Sequence, residues 1–215
     1  MWQTAQVRNQ VSEVFRSRGT SQLSTSAPCQ SPQIRYEFKL VTSLPAQPNS
    51  PDKRPPTGAW QPGHALGGRK FHSVVDGRSF QLDCGQPLHK VDLAYETWGR
   101  LNDAASNAVL ICHALTGESH AAGRAEDGHP VAGWWQALIG PGLAVNTDEL
   151  FVVCVNVLGG CQGSTGPASL DPATDRPYGS NFPLVTIHDM VRTQASLADA
   201  LGVHKWRCVL GGSMG

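Results

Sequence analysis

Leu210-Gly211-Gly212-Ser213-Met214-Gly215 reads G-x-S-x-G, and the apolar run Trp206-Arg207-Cys208-Val209-Leu210 leads straight into it. A serine on a sharp strand-to-helix turn sits in a strained backbone conformation, so its close neighbours must be small. The glycines two residues before and after Ser213 leave the backbone room to pass, and the hydroxyl is pushed out above the sheet. The same turn aims the Met214 N–H at an oxygen that becomes negative when Ser213 attacks a carbonyl. In a chain with 23 glycines the pattern alone says little. Its setting says more, because a helix-like segment and then a buried strand precede it.

Working back from the serine, Thr186 reads as a helix cap with Asp189 at the capping-box position. Ile187, Met190, Val191, Ala198 and Leu201 are expected on one buried face, with Gly202 as the stop. Asn156 to Pro183 is long and full of Gly, Pro and Ser, which marks a functional or irregular loop. Leu150–Val155 and Ala108–Cys112 are continuous apolar runs of the kind found in strands buried on both faces. Between them Gly133–Ile139 reads as a short amphipathic helix. One tryptophan of the Trp134–Trp135 pair is expected in the core. Order is expected from about Ser79, where Phe80, Leu82 and Cys84 alternate with polar residues. Gly85-Gln86-Pro87 then turns the chain, and Val91, Leu93 and Tyr95 alternate again, as in an antiparallel hairpin. From the third strand on, the series is βαβ with a parallel sheet, so the fold class is α/β.

Residues 1–68 are rich in Ser, Gln, Pro and Thr with no sustained apolar period, which predicts a disordered extension before a domain over 69–215. Arg8, Arg16 and Arg18 stand against Glu13 alone, with Val7, Val11, Val14 and Phe15 at helical spacing. That pattern also fits a transit peptide, but a plain extension or a mis-called start is the simpler reading. The formal net charge is zero, which argues against nucleic-acid and membrane-surface partners. The apolar runs are strand-sized, short of the roughly 18 residues of a membrane span. The N-terminus has no apolar core of a secretory signal. The six cysteines lack any C-x-x-C spacing, which predicts a reducing, cytoplasmic setting and no metal site. The Gly159–Gly166 run lacks the G-K-[ST] ending of a phosphate-binding loop and reads as a loop bordering the active site or the surface.

Four segments in order carry a resemblance: Leu93–Gly99 (L-A-Y-E-T-W-G), Asn107–Gly117 (N-A-V-L-I-C-H-A-L-T-G), Asn156–Pro167 (N-V-L-G-G-C-Q-G-S-T-G-P) and the terminal G-G-S-M-G. Together they resemble the homoserine O-acetyltransferases of the α/β-hydrolase superfamily, from about residue 79 to the last. The resemblance implies a doubly covered, mostly parallel sheet with an antiparallel start. It also implies that Ser213 takes an acetyl group from acetyl-CoA, a substrate and not a resident cofactor, and passes it to the hydroxyl of L-homoserine. Met214 and Leu115 would supply the backbone N–H groups of the oxyanion hole, and Thr116 and Gly117 lie where substrate contacts are expected. The triad acid and histidine of this fold follow the serine in sequence, so both are expected after Gly215. On that reading the residues given are an inert N-terminal fragment of an enzyme that is a homodimer when whole. His113 and His120 flank the oxyanion loop and are read as shaping it; His188 is read as surface.

Two other readings stay open. A serine acceptor, a succinyl donor or water would make the same fold a sister transferase or an esterase. The residues could also form a non-catalytic short product.

Overall fold

The computed structural model describes residues 58–75, 77–126 and 128–215. Most of the expected extension, residues 1–57, therefore lies outside the described residues. A five-stranded sheet holds the domain together: β1 (Lys70–Ser73), β2 (Asp92–Trp98), β3 (Ala108–Cys112), β4 (Phe151–Val155) and β5 (Cys208–Gly211), in the order β1-β2-β4-β3-β5. β1 and β2 pair antiparallel, as do β2 and β4, whereas β4, β3 and β5 run parallel. The mixed α/β sheet is thus antiparallel at the start and parallel where the serine is delivered.

Strand β4 is buried along its whole length, and β3 up to Cys112. Side chains alternate across the pleat, so each run feeds two cores. Leu93, Leu110, Val153 and Val155 pack against Leu197 and Ala198 of helix α1 (Ile187–Ala200). On the other face, Val109, Ile111, Val152 and Cys154 meet Ala121, Ala122, Ile139 and Val145. Full burial of each such aliphatic side chain contributes about 1.5–3 kcal/mol, so β3 and β4 are the last part of the sheet to open.

Several expectations need correction. Helices were expected on both faces, but α1 is the one α-helix among the described residues. Residues 134–138 form turns, not a helix. The N–H groups of Gly133, Trp134 and Trp135 donate to the carbonyls of Gly123, His120 and Ala121, which fastens the segment to another loop. The i→i−4 ladder has one bond here, Ile139 to Trp135, too few to offset helix nucleation. Trp135 packs in the core while Trp134 turns outward and donates its indole N–H to the Glu118 carbonyl at 2.9 Å. Order also begins before Ser79. β1 has a single large apolar residue, Phe71, because it is an edge strand, and that hides it from periodicity. The hairpin forms between Phe80–Gln81 and Pro87–Leu88 only. β2 instead pairs with β1.

Helix α1 keeps its cap, and Ala198, Met190 and Leu201 pack inward as expected, but the buried face is rotated away from Ile187 and Val191. Ile187 and Val191 are 57% and 53% exposed, whereas Asp189, Thr193, Leu197 and Ala198 are buried. The capping box explains the rotation. Asp189 Oδ2 accepts from the Thr186 N–H at 2.9 Å, and Oδ1 accepts from the Asp83 N–H at 3.0 Å and from Arg192. Burial alone would raise the Asp189 pKa, but these donors together hold it below the usual carboxylate value. Gly202, at φ +74°, ends the helix in the left-handed region. Replacing Asp189 by Ala removes a cap and leaves the Asp83 N–H without an acceptor. We expect a loss of about 2–4 kcal/mol, read from the urea midpoint. A change below about 0.5 kcal/mol would show that the box is ornamental.

Candidate active site at the end of strand β5

β5 ends at Gly211, and the chain then turns through Gly212 and Ser213, with the Gly215 N–H donating to the Gly212 carbonyl at 3.2 Å. Ser213 has φ +63°, the left-handed region that side chains other than glycine enter at a cost of about 1–3 kcal/mol. Cramped packing accompanies the strain. A Cβ on Gly215 would stand 2.3 Å from the Cys112 carbonyl oxygen, and one on Gly211 would stand 2.5 Å from the Gly215 carbonyl carbon. Nothing lies within 4 Å of a Cβ built on Gly212. The two glycines that the motif specifies are therefore the two that the geometry requires.

The other candidate residues lie on the neighbouring strand end. Gly211 pairs with Cys112 in the parallel β3–β5 ladder. Met214 and Leu115 are each the third residue past that pair, so both chains leave the sheet side by side. Leu115 is 74% exposed on a turn that the Gly117 N–H closes onto the Ala114 carbonyl at 2.8 Å. Among the described residues, neither Leu115 nor Met214 has its backbone N–H bound to an acceptor. Thr116 is exposed at the tip of the turn, and Gly117 uses its N–H to close it.

His113 shapes this turn from below. The Val157 N–H donates to its Nε2 at 3.3 Å, so the ring proton sits on Nδ1, which donates to the Ala114 carbonyl at 2.7 Å. Burial lowers its pKa, in keeping with a neutral ring. His188 is at the surface beside Asp83, with Nδ1 3.1 Å from Oδ2. The Gly159–Gly166 run is knitted to β2: the Ala94 N–H donates to Ser164 Oγ at 2.9 Å, and the Thr165 N–H to the Asp92 carbonyl at 2.8 Å. With Trp60 and Phe71 it lines a hollow of about 800 Å³ on the β1 side of the sheet, and no residue of the Ser213 turn lines it.

A cluster that sequence reasoning missed lies at the far end of the loop that carries Leu115. Glu96 of β2 is 3% exposed, with Oε2 3.0 Å from His120 Nδ1 and Oε1 3.1 Å from His129 Nε2. Ser119 Oγ donates to Glu96 Oε1 at 2.9 Å, and Arg69 pairs with Glu118 at 2.5 Å. The available signal was an acid between Ala94 and Trp98 on one strand face, although Asp92 shares that face and blurs it. Glu96, His120 and His129 offer ligand atoms within 4.8 Å of one another, a spacing that a metal ion could use. Their ring geometry opposes it. The two imidazoles stack at 3.8 Å with planes 11° apart, and in-plane lone pairs on parallel rings cannot converge on one ion.

Burial lowers the His129 pKa to about 4. The unfolded chain, with a histidine near 6.5, then binds more protons than the folded one between pH 6.5 and 4. Stability therefore falls as pH drops through that window, and His72 and His113, also lowered by burial, act in the same direction. We expect the urea midpoint to fall between pH 7 and pH 5. His129→Asn should flatten that slope, and an unchanged slope would remove His129 as its source.

A family model described as alpha/beta hydrolase fold matches residues 107–215. The chain is 54% identical over 161 residues to homoserine O-acetyltransferase of Thermobifida fusca, covering 75% of this chain and 42% of that protein. It is 53% identical over 154 residues to homoserine O-succinyltransferase of Alkalilimnicola ehrlichii, covering 72% of this chain and 40% of that one. Among solved structures, esterase E22 superposes with a TM-score of 0.63 at 38% identity, over 68% of this chain and 41% of that one. Homoserine O-acetyltransferase from Bacillus anthracis gives a TM-score of 0.61 at 35% identity, over 68% and 40%. The chain spans about two fifths of the length of the curated relatives it matches.

Proposed function

This chain belongs to the alpha/beta hydrolase fold family, and we propose that it carries the nucleophile and the oxyanion hole of a homoserine O-acyltransferase. The observation that carries the reading is Ser213 at φ +63° on a turn whose flanking glycines admit no Cβ. A strained serine of this kind persists only where the surrounding structure holds it, and such places are predominantly reactive sites.

In the proposed reaction Ser213 Oγ attacks the thioester carbonyl of acetyl-CoA. The oxyanion is held by the N–H groups of Leu115 and Met214, the C–S bond breaks, and coenzyme A leaves as its thiol. The hydroxyl of L-homoserine then attacks the seryl ester, forms the new O-acetyl bond and returns the proton to Ser213. The base that relays these protons, and the acid that orients it, are assigned to the further length that the relatives have beyond this match. Names of relatives support transfer of an acyl group to homoserine. They divide between acetyl and succinyl, and the likeness to esterase E22 keeps water in view as the acceptor.

Intact-mass measurement of a protein that includes that further length, after exposure to acetyl-CoA or succinyl-CoA, tests the reading. We expect one acyl group on Ser213, discharged far faster by L-homoserine than by water. Absence of any acyl group with either donor would overturn it. Discharge indifferent to homoserine would replace the transferase by an esterase.

A further inference from the structure

The segment that carries Leu115 has almost no secondary structure to hold it. Between β3 and residue 138 it contains turns and one isolated bridge, Glu126 to His129. Its N-terminal end is pinned by His113. Its other end comes down on a buried carboxylate, and we propose that Glu96 is the positioning residue that fixes the oxyanion loop and so places the Leu115 N–H for catalysis. The inference rests on the acyl-transfer reading above.

Each oxygen of Glu96 has a partner on this segment: Oε1 accepts from Ser119 Oγ at 2.9 Å, and Oε2 from His120 Nδ1 at 3.0 Å. The ring of His120 is then clamped on its face by His129, stacked 3.8 Å away. Asn156, at the end of β4, completes the anchor by accepting the Ser119 N–H at 2.8 Å. The chain closes over the carboxylate so tightly that a Cβ on Gly68 would stand 2.7 Å from Glu96 Oε2.

A carboxylate suits the position because it only accepts, and both facing groups donate. Leucine has a similar volume but accepts nothing, so it leaves the Ser119 hydroxyl and the His120 N–H without partners in a buried place. The carboxylate stands on β2, paired with β4 at Glu96↔Cys154, so the loop is referenced to the most deeply buried part of the sheet. Glu96 touches no reacting atom. It acts through the position of Leu115, where a displacement of about 1 Å is worth roughly a hundredfold in rate.

The test is Glu96→Leu in the protein assayed for acyl transfer, with Ser119→Ala as the milder variant should the first not fold. We expect kcat to fall about a hundredfold for Glu96→Leu and about tenfold for Ser119→Ala. KM for homoserine should stay within about threefold, because the loop is assigned to the transition state and not to binding. Amide hydrogen exchange over residues 113–120 should accelerate while β3 and β4 stay protected. A kcat per folded molecule within about threefold of the parent, or a loss carried by KM, would overturn the proposal. Should the parent transfer no acyl group at all, the functional reading fails by itself. Exchange over 113–120 then decides the anchor: acceleration in the variants upholds it, and unchanged exchange removes it.

Discussion

A Ser213→Ala protein should fold as the parent does and lose turnover by about 10⁴-fold or more, the size of effect seen when an acyl-transfer nucleophile is removed. Alanine inherits the φ of +63° and its strain, so the melting temperature should barely move. The companion Ser213→Gly is more telling. Glycine enters the left-handed region freely, which relieves about 1–3 kcal/mol, while its greater unfolded-state freedom costs about 0.5–1 kcal/mol. The net expectation is a variant that is inactive and more stable than the parent. Few substitutions of a native residue to glycine are stabilising, so a higher urea midpoint would be specific evidence of a strained nucleophile. A lower midpoint, or turnover surviving in either variant, would end the assignment.

Gly211→Ala should do comparable harm by the opposite route. The added methyl group would lie 2.5 Å from the Gly215 carbonyl carbon and 3.0 Å from the Cys112 carbonyl oxygen. Both neighbours are backbone, and Cys112 lies in a paired strand, so neither side can give without opening the β3–β5 junction. We expect a loss of about 1–3 kcal/mol and a fall in turnover of more than about a hundredfold as Ser213 and Met214 shift. Gly212→Ala is the matched control, since its methyl group would enter open space. It should change stability by less than about 1 kcal/mol. Equal behaviour of the two variants would mean that the turn tolerates bulk and that the motif is incidental.

Strands β3, β4 and β5 and the turn at Ser213 were legible because a strand buried on two faces writes itself as an unbroken apolar run. An edge strand such as Lys70–Ser73 writes almost nothing, since only one of its residues has to be apolar. Gly133–Ile139 has helical spacing but lost to tertiary hydrogen bonds, which a local pattern cannot report. Helix α1 was placed correctly, with Ala198, Met190 and Leu201 inward as expected, but Ile187 and Val191 lie outside because the cap pulls Asp189 inward and a charged side chain reads as surface. Glu96 was hidden for the same reason. Its partners, Ser119, His120 and His129, are more than twenty positions away, and only the folded sheet brings them to it.

Leu115 and Met214 follow strand ends held in parallel register, Gly211 against Cys112, and register is a quantised property. A strand slips by whole residues, about 3.3 Å at a time, and each slip turns its side chains to the wrong face. Evolution therefore has no small adjustment to make at this junction. It can lengthen, shorten or rewrite the connections that precede Arg207 without moving the two N–H groups relative to each other. Relatives more than half identical over the matched residues are named for different acyl groups. For an engineer the consequence is practical. Libraries belong in the loops, with residues 112–115 and 211–215 left as they are.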